Sequence, residues 1–136
     1  MCGGVQYQYK GETVKTYFPN PNAELPILMK NQAIELIRWG RRKEQLGHLP
    51  QGGWARHESI MQGTWDKYRP VPVKIQVNLF MEKDRDKVSH WFNLEEAQFI
   101  QGLLAHWDDE SRVYVVTVSP PMEHPVHDRW PRLISS

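Results

Sequence analysis

The stretch Val73-Lys74-Ile75-Gln76-Val77-Asn78-Leu79-Phe80-Met81 decides the fold class. Val73, Ile75, Val77, Leu79 and Met81 recur at every second position, the period of a strand with one face against a core. Lys74, Gln76, Asn78 and Phe80 take the other face. Working outward, Lys87 to Phe92 reads as a further strand after the charged turn Lys83-Asp84-Arg85-Asp86. Arg112 to Val118 reads as a buried strand from its β-branched content. Near the start, Val5, Tyr7 and Tyr9 alternate with polar residues, Lys10-Gly11-Glu12 offers a turn, and Val14, Thr16 and Phe18 resume the alternation, as in a hairpin.

Between these segments the pattern is less regular. Pro26 to Met29 and Ala33 to Trp39 read as short extended pieces, and Gly40 to Gly53 as a long loop of the kind that is more often functional or mobile than idle. Glu58 to Tyr68 can hold a short helix weakened by Gly63, and Glu95 to Trp107 fits either helix or strand. The tail from Ser119 is proline-rich and is expected to hold at most one short strand. The expected architecture is α+β: a strand-rich single domain over 1–136, its strands curled into mixed sheets or an open β-barrel with few short helices.

Composition narrows the function classes. The 136 residues and 40% hydrophobic content suit a domain with a real core. Neither a signal peptide nor a membrane-spanning apolar run is visible, so a cytoplasmic protein without membrane contact is expected. A net charge of +1, from 17 Lys and Arg against 16 Asp and Glu, does not announce a nucleic-acid partner by itself. Basic residues do cluster at Arg38, Arg41, Arg42 and Lys43, and again at Arg129 and Arg132. Trp39, Trp54 and Trp130 each lie near arginine and glycine or proline, the mixture that single-stranded nucleic acid uses for stacking and phosphate neutralisation, although tryptophans are also ordinary core residues.

Cys2 is the only cysteine. Methionine before so small a residue is normally removed, which would leave Cys2 with a free α-amine beside its thiol. The reference pKa values, about 7.7–8.0 and about 8.5, make both groups nucleophilic near neutrality. Together they can trap an aldehyde, the amine as an imine and the thiol closing a five-membered thiazolidine. Gly3 and Gly4 allow close backbone approach. Most of the histidines, His48, His57, His90 and His106 among them, read as structural or exposed. Cys2, His124 and His127 lack the paired spacing of a zinc site, so neither metal nor cofactor is expected.

Several landmarks in order resemble the SOS response-associated peptidase family. Met1-Cys2-Gly3-Gly4 resembles its Met-Cys-Gly-Arg start, Pro19 to Pro26 its Asn-Val-Ala-Pro loop, and Ile37-Arg38-Trp39-Gly40 its Trp-Gly segment. Ala55-Arg56-His57-Glu58-Ser59 is similar to Asn-Ala-Arg-x-Glu-Thr, and Asn78 to Glu82 to the Gly-Trp-Phe-Glu-Trp strand end. Val126-His127-Asp128-Arg129-Trp130-Pro131 matches the apolar-His-Asp-Arg-x-Pro motif best. Family members usually continue further, so the resemblance implies a short, diverged member, phage-borne or degenerate.

That resemblance implies covalent capture of abasic sites in single-stranded DNA, a nucleoid or replication setting, and self-removal of Met1. It makes Cys2 the nucleophile, Glu82 the acid–base carboxylate and His127 a proton-transfer group. Arg56 and Arg129 would hold phosphates, with Trp39 and Trp54 as walls for stacked bases. A monomer is expected, with abasic single-stranded DNA as partner. The chain departs from the pattern at Gly4, where the family has Arg, and at Trp54, where it has Asn; an alignment anchored on Phe80 puts Met81 in the place of Glu82. Two alternatives stay open, a non-catalytic single-stranded nucleic-acid-binding module and an N-terminal-nucleophile amide hydrolase. A groove joining the N-terminus, Arg56, the end of the Val73–Met81 strand and His127 is the expected site.

Overall fold

The computed structural model describes residues 1–120 and 129–135. Its first strands are β1 (Gly4–Tyr9), β2 (Glu12–Tyr17), β3 (Glu24–Leu28), β4 (Ile34–Arg38) and β5 (Trp54–Arg56), followed by the short helix α1 (His57–Met61). A single 3-10 turn, Asp66–Tyr68, leads to β6 (Val71–Ile75), β7 (Leu79–Lys83), β8 (Ser89–Asn93) and β9 (Gln98–Trp107). The chain ends in β10 (Glu110–Val118), β11 (Trp130–Pro131) and β12 (Leu133–Ser135). The strand-rich α+β reading holds, as two sheets rather than a closed barrel. The smaller has the antiparallel order β2-β1-β7-β8; the larger runs β11-β10-β9-β6-β3-β4, with β12 added to β9 and β5 pairing parallel to β10.

The N-terminal hairpin forms where alternation placed it. Lys10 and Gly11 both adopt left-handed backbone, φ 50° and 80°, the primed turn whose twist matches that of paired strands. The resulting register sets Val5 opposite Thr16 and Gly4 opposite Tyr17.

The stretch Val73–Met81 is not one strand. Its first part lies in the larger sheet and its last part in the smaller, with the crossing at Gln76–Asn78. Gln76 N–H donates to Pro26 of β3 (2.9 Å), whereas Asn78 N–H donates to Gln6 of β1 (2.8 Å). The bend also changes which side chains face inward. Ile75 and Val77 are buried with exposed Gln76 between them, but beyond the bend Phe80 and Glu82 enter the interior in place of Leu79.

Two apolar clusters flank the larger sheet. One, between the sheets, includes Val5, Tyr7, Leu25, Trp39, Ile75, Phe80, Val113 and Val115. The other gathers Leu49, Ala55, Trp65, Leu103, Tyr114 and Val116 under α1 and the following turn. Alternate residues of β10 enter opposite clusters, which is why its central run, Val113 to Val116, is apolar without interruption.

Glu95–Trp107 resolves as the long strand β9. Gly102 permits it: a Cβ there would lie 2.9 Å from Ile75 Cδ1 and 3.0 Å from Val73 Cγ2 of the neighbouring β6. The Glu58–Tyr68 helix breaks at Gly63, φ +84°, into α1 and the 3-10 turn. Among its described residues the tail supplies two short strands, not one. The 40–53 segment is pinned rather than loose. Tyr114 Oη donates to Pro50 (2.6 Å), Arg41 Nε to Leu49 (2.6 Å) and Arg112 Nη1 to Gly40 (2.8 Å). Gly40 itself has φ +54°, and a Cβ there would stand 2.7 Å from Gly53 Cα. Gly40→Ala is expected to lower unfolding free energy by at least about 1–3 kcal/mol, the usual cost of a non-glycine residue in that region. An unchanged urea midpoint would contradict this.

Candidate active site

β1 is an inner strand of the smaller sheet, and its ladders continue beyond Gly4 to the start of the chain. Gly3 N–H donates to Met81 (3.0 Å), and Gly3 accepts from Phe18 N–H (3.1 Å). The Cys2 carbonyl accepts the Trp54 indole N–H at 2.7 Å. The departure at position 54 therefore introduces a donor that grips the backbone of the candidate nucleophile. Trp54 is in turn positioned by Phe18, ring centroids 4.8 Å apart.

These contacts bury Cys2 completely, with Sγ 3.5 Å from the Gly4 carbonyl oxygen. Burial above all, then the charge of Glu82, pushes the thiol up to about 12. Near neutrality it is a protonated thiol packed in the core. Glu82 is also fully buried, and its Oε1 lies 3.0 Å from the Met1 amine. Burying a carboxylate is costly unless charge or hydrogen bonds answer it, and the terminal amine supplies part of that answer.

Glu82 and Met81 occupy different places. Glu82 points inward beside the terminus, while Met81 gives its carbonyl to Gly3 and its side chain to an outer cleft. That cleft, about 520 Å³, is bordered by Met1, Tyr17, Phe18, Trp54, Met81 and Lys83. A larger groove of about 1060 Å³ lies between the β3–β4 hairpin and β6. It is lined mostly by apolar side chains and, among the described residues, by no cysteine, histidine or buried carboxylate, so its size does not mark the chemistry.

The other candidates divide. Arg56 is exposed at the start of α1, available to solvent-borne anions. Arg129 is not. Its side chain is buried, Nη1 and Nη2 bind the two Glu58 carboxylate oxygens at 3.0 and 3.1 Å, and Nη2 also donates to the Thr117 carbonyl at 2.7 Å. The expected phosphate contact is thus replaced by a clamp joining α1 to the end of β10. Trp39 also departs from expectation. It is fully buried and donates from its indole to Gly53 (3.0 Å), a core residue instead of a wall for bases. His127, His124 and Asp128 lie outside the described residues.

The arginines of the basic run at 38–43 are likewise committed to backbone carbonyls, while Lys43 is exposed. Arg38 donates to Pro21, Arg41 to Leu49 and Gln45, and Arg42 to Phe18 and Trp39. Arg42 also lies 4.0 Å from the Phe18 ring, bracing the residue that holds Gly3. Sequence motifs alone mark neither Phe18 nor Tyr17 as a site residue. A signal for both was present in the two-residue hairpin turn, which sets them against Gly3 and Gly4. No protein-family model matches the chain, and no curated protein matches it in sequence.

Two measurements follow from these surroundings. With Met1 in place, Cys2 of the native protein should alkylate at pH 8 roughly a thousandfold more slowly than in denaturant, because a thiol pushed up from 9.0 to about 12 leaves that much less thiolate. Equal iodoacetamide rates would show the thiol to be accessible. Glu58 is held down to about 2, chiefly by its hydrogen bonds from Arg129. A depressed carboxyl stabilises the fold above its ordinary value of 4.5 and loses that contribution as pH falls towards 2. The melting difference between wild type and Glu58→Gln should therefore be constant near neutrality and close between pH 4.5 and about 2. A difference independent of pH would count against the clamp.

Proposed function

We propose that this protein captures abasic sites in single-stranded DNA through an aminothiol at Cys2. The observation that carries the reading is the lone cysteine, one residue from the start, gripped by Trp54 and packed beside a buried carboxylate that faces the terminal amine. A core cysteine needs no such carboxylate, which raises its thiol pKa; an amine that must exchange protons during condensation does. The motif resemblance around Ala55-Arg56 and His127-Asp128-Arg129 supports the same reading.

In this reading the form with Met1 attached is a precursor, because its Cys2 nitrogen is an amide and its thiol is buried. Hydrolysis of the Met1–Cys2 peptide consumes one water, releases methionine and frees the Cys2 amine. That amine adds to the aldehyde carbon of the ring-opened sugar, and loss of water gives an imine. Sγ then adds to the imine carbon, a C–S bond forms, and the thiol proton ends on nitrogen. The product is a thiazolidine, with one water released in the condensation. Glu82 takes the proton from the attacking amine and returns it to the departing hydroxyl, a transfer typically worth 10²–10⁴-fold. Arg56 holds a neighbouring phosphate, and His127 is proposed as a second proton carrier.

A second reading, a non-covalent single-stranded nucleic-acid-binding module, is favoured by the deep burial of Cys2 and by the commitment of Arg129 to Glu58. A denaturing gel separates them. Protein lacking Met1, mixed with single-stranded DNA carrying one abasic site, should give a shifted band that Cys2→Ala abolishes. Glu82→Gln should form that band at least about a hundredfold more slowly. Binding under native conditions with no shifted band would leave the second reading standing.

A further inference from the structure

We propose that the outer face of the smaller sheet is a stacking platform for unpaired bases, formed by Tyr17 and Trp91 and flanked by Lys15 and Lys83. The proposal rests on the DNA reading above and extends it to strand beyond the lesion. Cross-strand register places Tyr17, Gly4, Met81 and Trp91 in one row across β2, β1, β7 and β8. The outer two positions belong to opposite edges, about 14 Å apart at ordinary strand spacing. Yet the Tyr17 and Trp91 rings approach to 6.2 Å, because both lean inward over the middle of the sheet.

Gly4 makes that approach feasible: a Cβ there would lie 2.8 Å from Tyr17 Cδ1. The glycine that departs from the family's arginine therefore exchanges a cation for an aromatic surface. Tyr17 remains 42% exposed despite these contacts, and Trp91 is partly exposed, so part of the aromatic surface stays open to a ligand.

Charge identifies the occupant. The outward positions of these four strands include Lys15 and Lys83 and not one Asp or Glu, although the chain as a whole is nearly neutral. Lys15 Nζ stands 5.0 Å from the Trp91 ring centre. Lys83 borders the cleft that also contains Met1 and Tyr17, so the platform is continuous with the terminus. Aromatic faces beside cations, with no acid among the outward positions of these strands, fit stacked bases and their phosphates.

The test uses fluorescence anisotropy with an undamaged fluorescein-labelled oligo(dT), which separates the platform from covalent capture. Tyr17→Ala with Trp91→Ala should weaken binding roughly 5- to 100-fold, the range expected for losing a stacked base. Lys15→Gln with Lys83→Gln should flatten the dependence of log affinity on log salt by about 1.4, two phosphate contacts on a single strand. Gly4→Ala, which displaces the Tyr17 ring, should weaken binding without removing any aromatic group. Circular dichroism confirms folding of each variant. Wild-type binding with these losses but no abasic crosslink would uphold the platform while refuting capture. Unchanged affinity and salt slope in the folded variants would overturn the platform, as would wild-type protein that ignores oligo(dT) and binds polyglutamate.

Discussion

The arrangement depends on how Cys2 and Gly3 are held. A chain terminus is ordinarily the least ordered part of a domain. Here it is an inner segment of a sheet, bonded to Met81 on one side and Phe18 on the other, with the Trp54 indole closing the third contact. Everything distinctive about the site follows from those three bonds. They draw the only cysteine into the core, bring the terminal amine to Glu82 and set Met1 at the mouth of the cleft. Phe18 and Trp54 are braced in turn by Arg42, Trp39 and Gly53, so the pinned 40–53 segment acts as a foundation for the terminus.

Electrostatics in this small domain are mostly local. Several arginines that look like a basic patch in sequence donate to backbone carbonyls that no strand partner satisfies, as Arg41 does for Leu49 and Arg42 for Phe18. A buried or half-buried carbonyl costs more unpaired than the guanidinium gains on the surface. Arg42 is held so deeply that burial lowers it to about 10. Cations left facing solvent near the terminus are lysines and Arg56, a sparser and more directional set than the sequence implies.

What could be read in advance was whatever depends on neighbours in sequence. The β1–β2 hairpin and the doubly buried β10 follow from alternation, turn chemistry and β-branching, which are local properties. Period two carries no mark of a change of sheet, so Val73–Met81 looked continuous, and the inward turn of Phe80 and Glu82 was hidden with it. Cys2 and Glu82 were legible as a pair only through motif resemblance. The Arg129 clamp is invisible in sequence because its partner Glu58 lies 71 residues away. The burial of Trp39 is equally hidden, because an indole beside glycine has the same sequence context at a surface and in a core.

The Lys10–Gly11 turn has a significance beyond joining two strands. Its two residues fix how far β1 is drawn back along β2, and hence which residue emerges at the inner end of the ladder. The hairpin is a ruler with its zero at the turn and its reading at the terminus. Were it one residue longer or shorter, pairing along β2 would bring Gly3 or Met1, instead of Cys2, to the place held by the Trp54 indole. Position in the primary chain is thereby converted into position in space by a distant turn, and where the thiol is buried depends on the geometry of that turn.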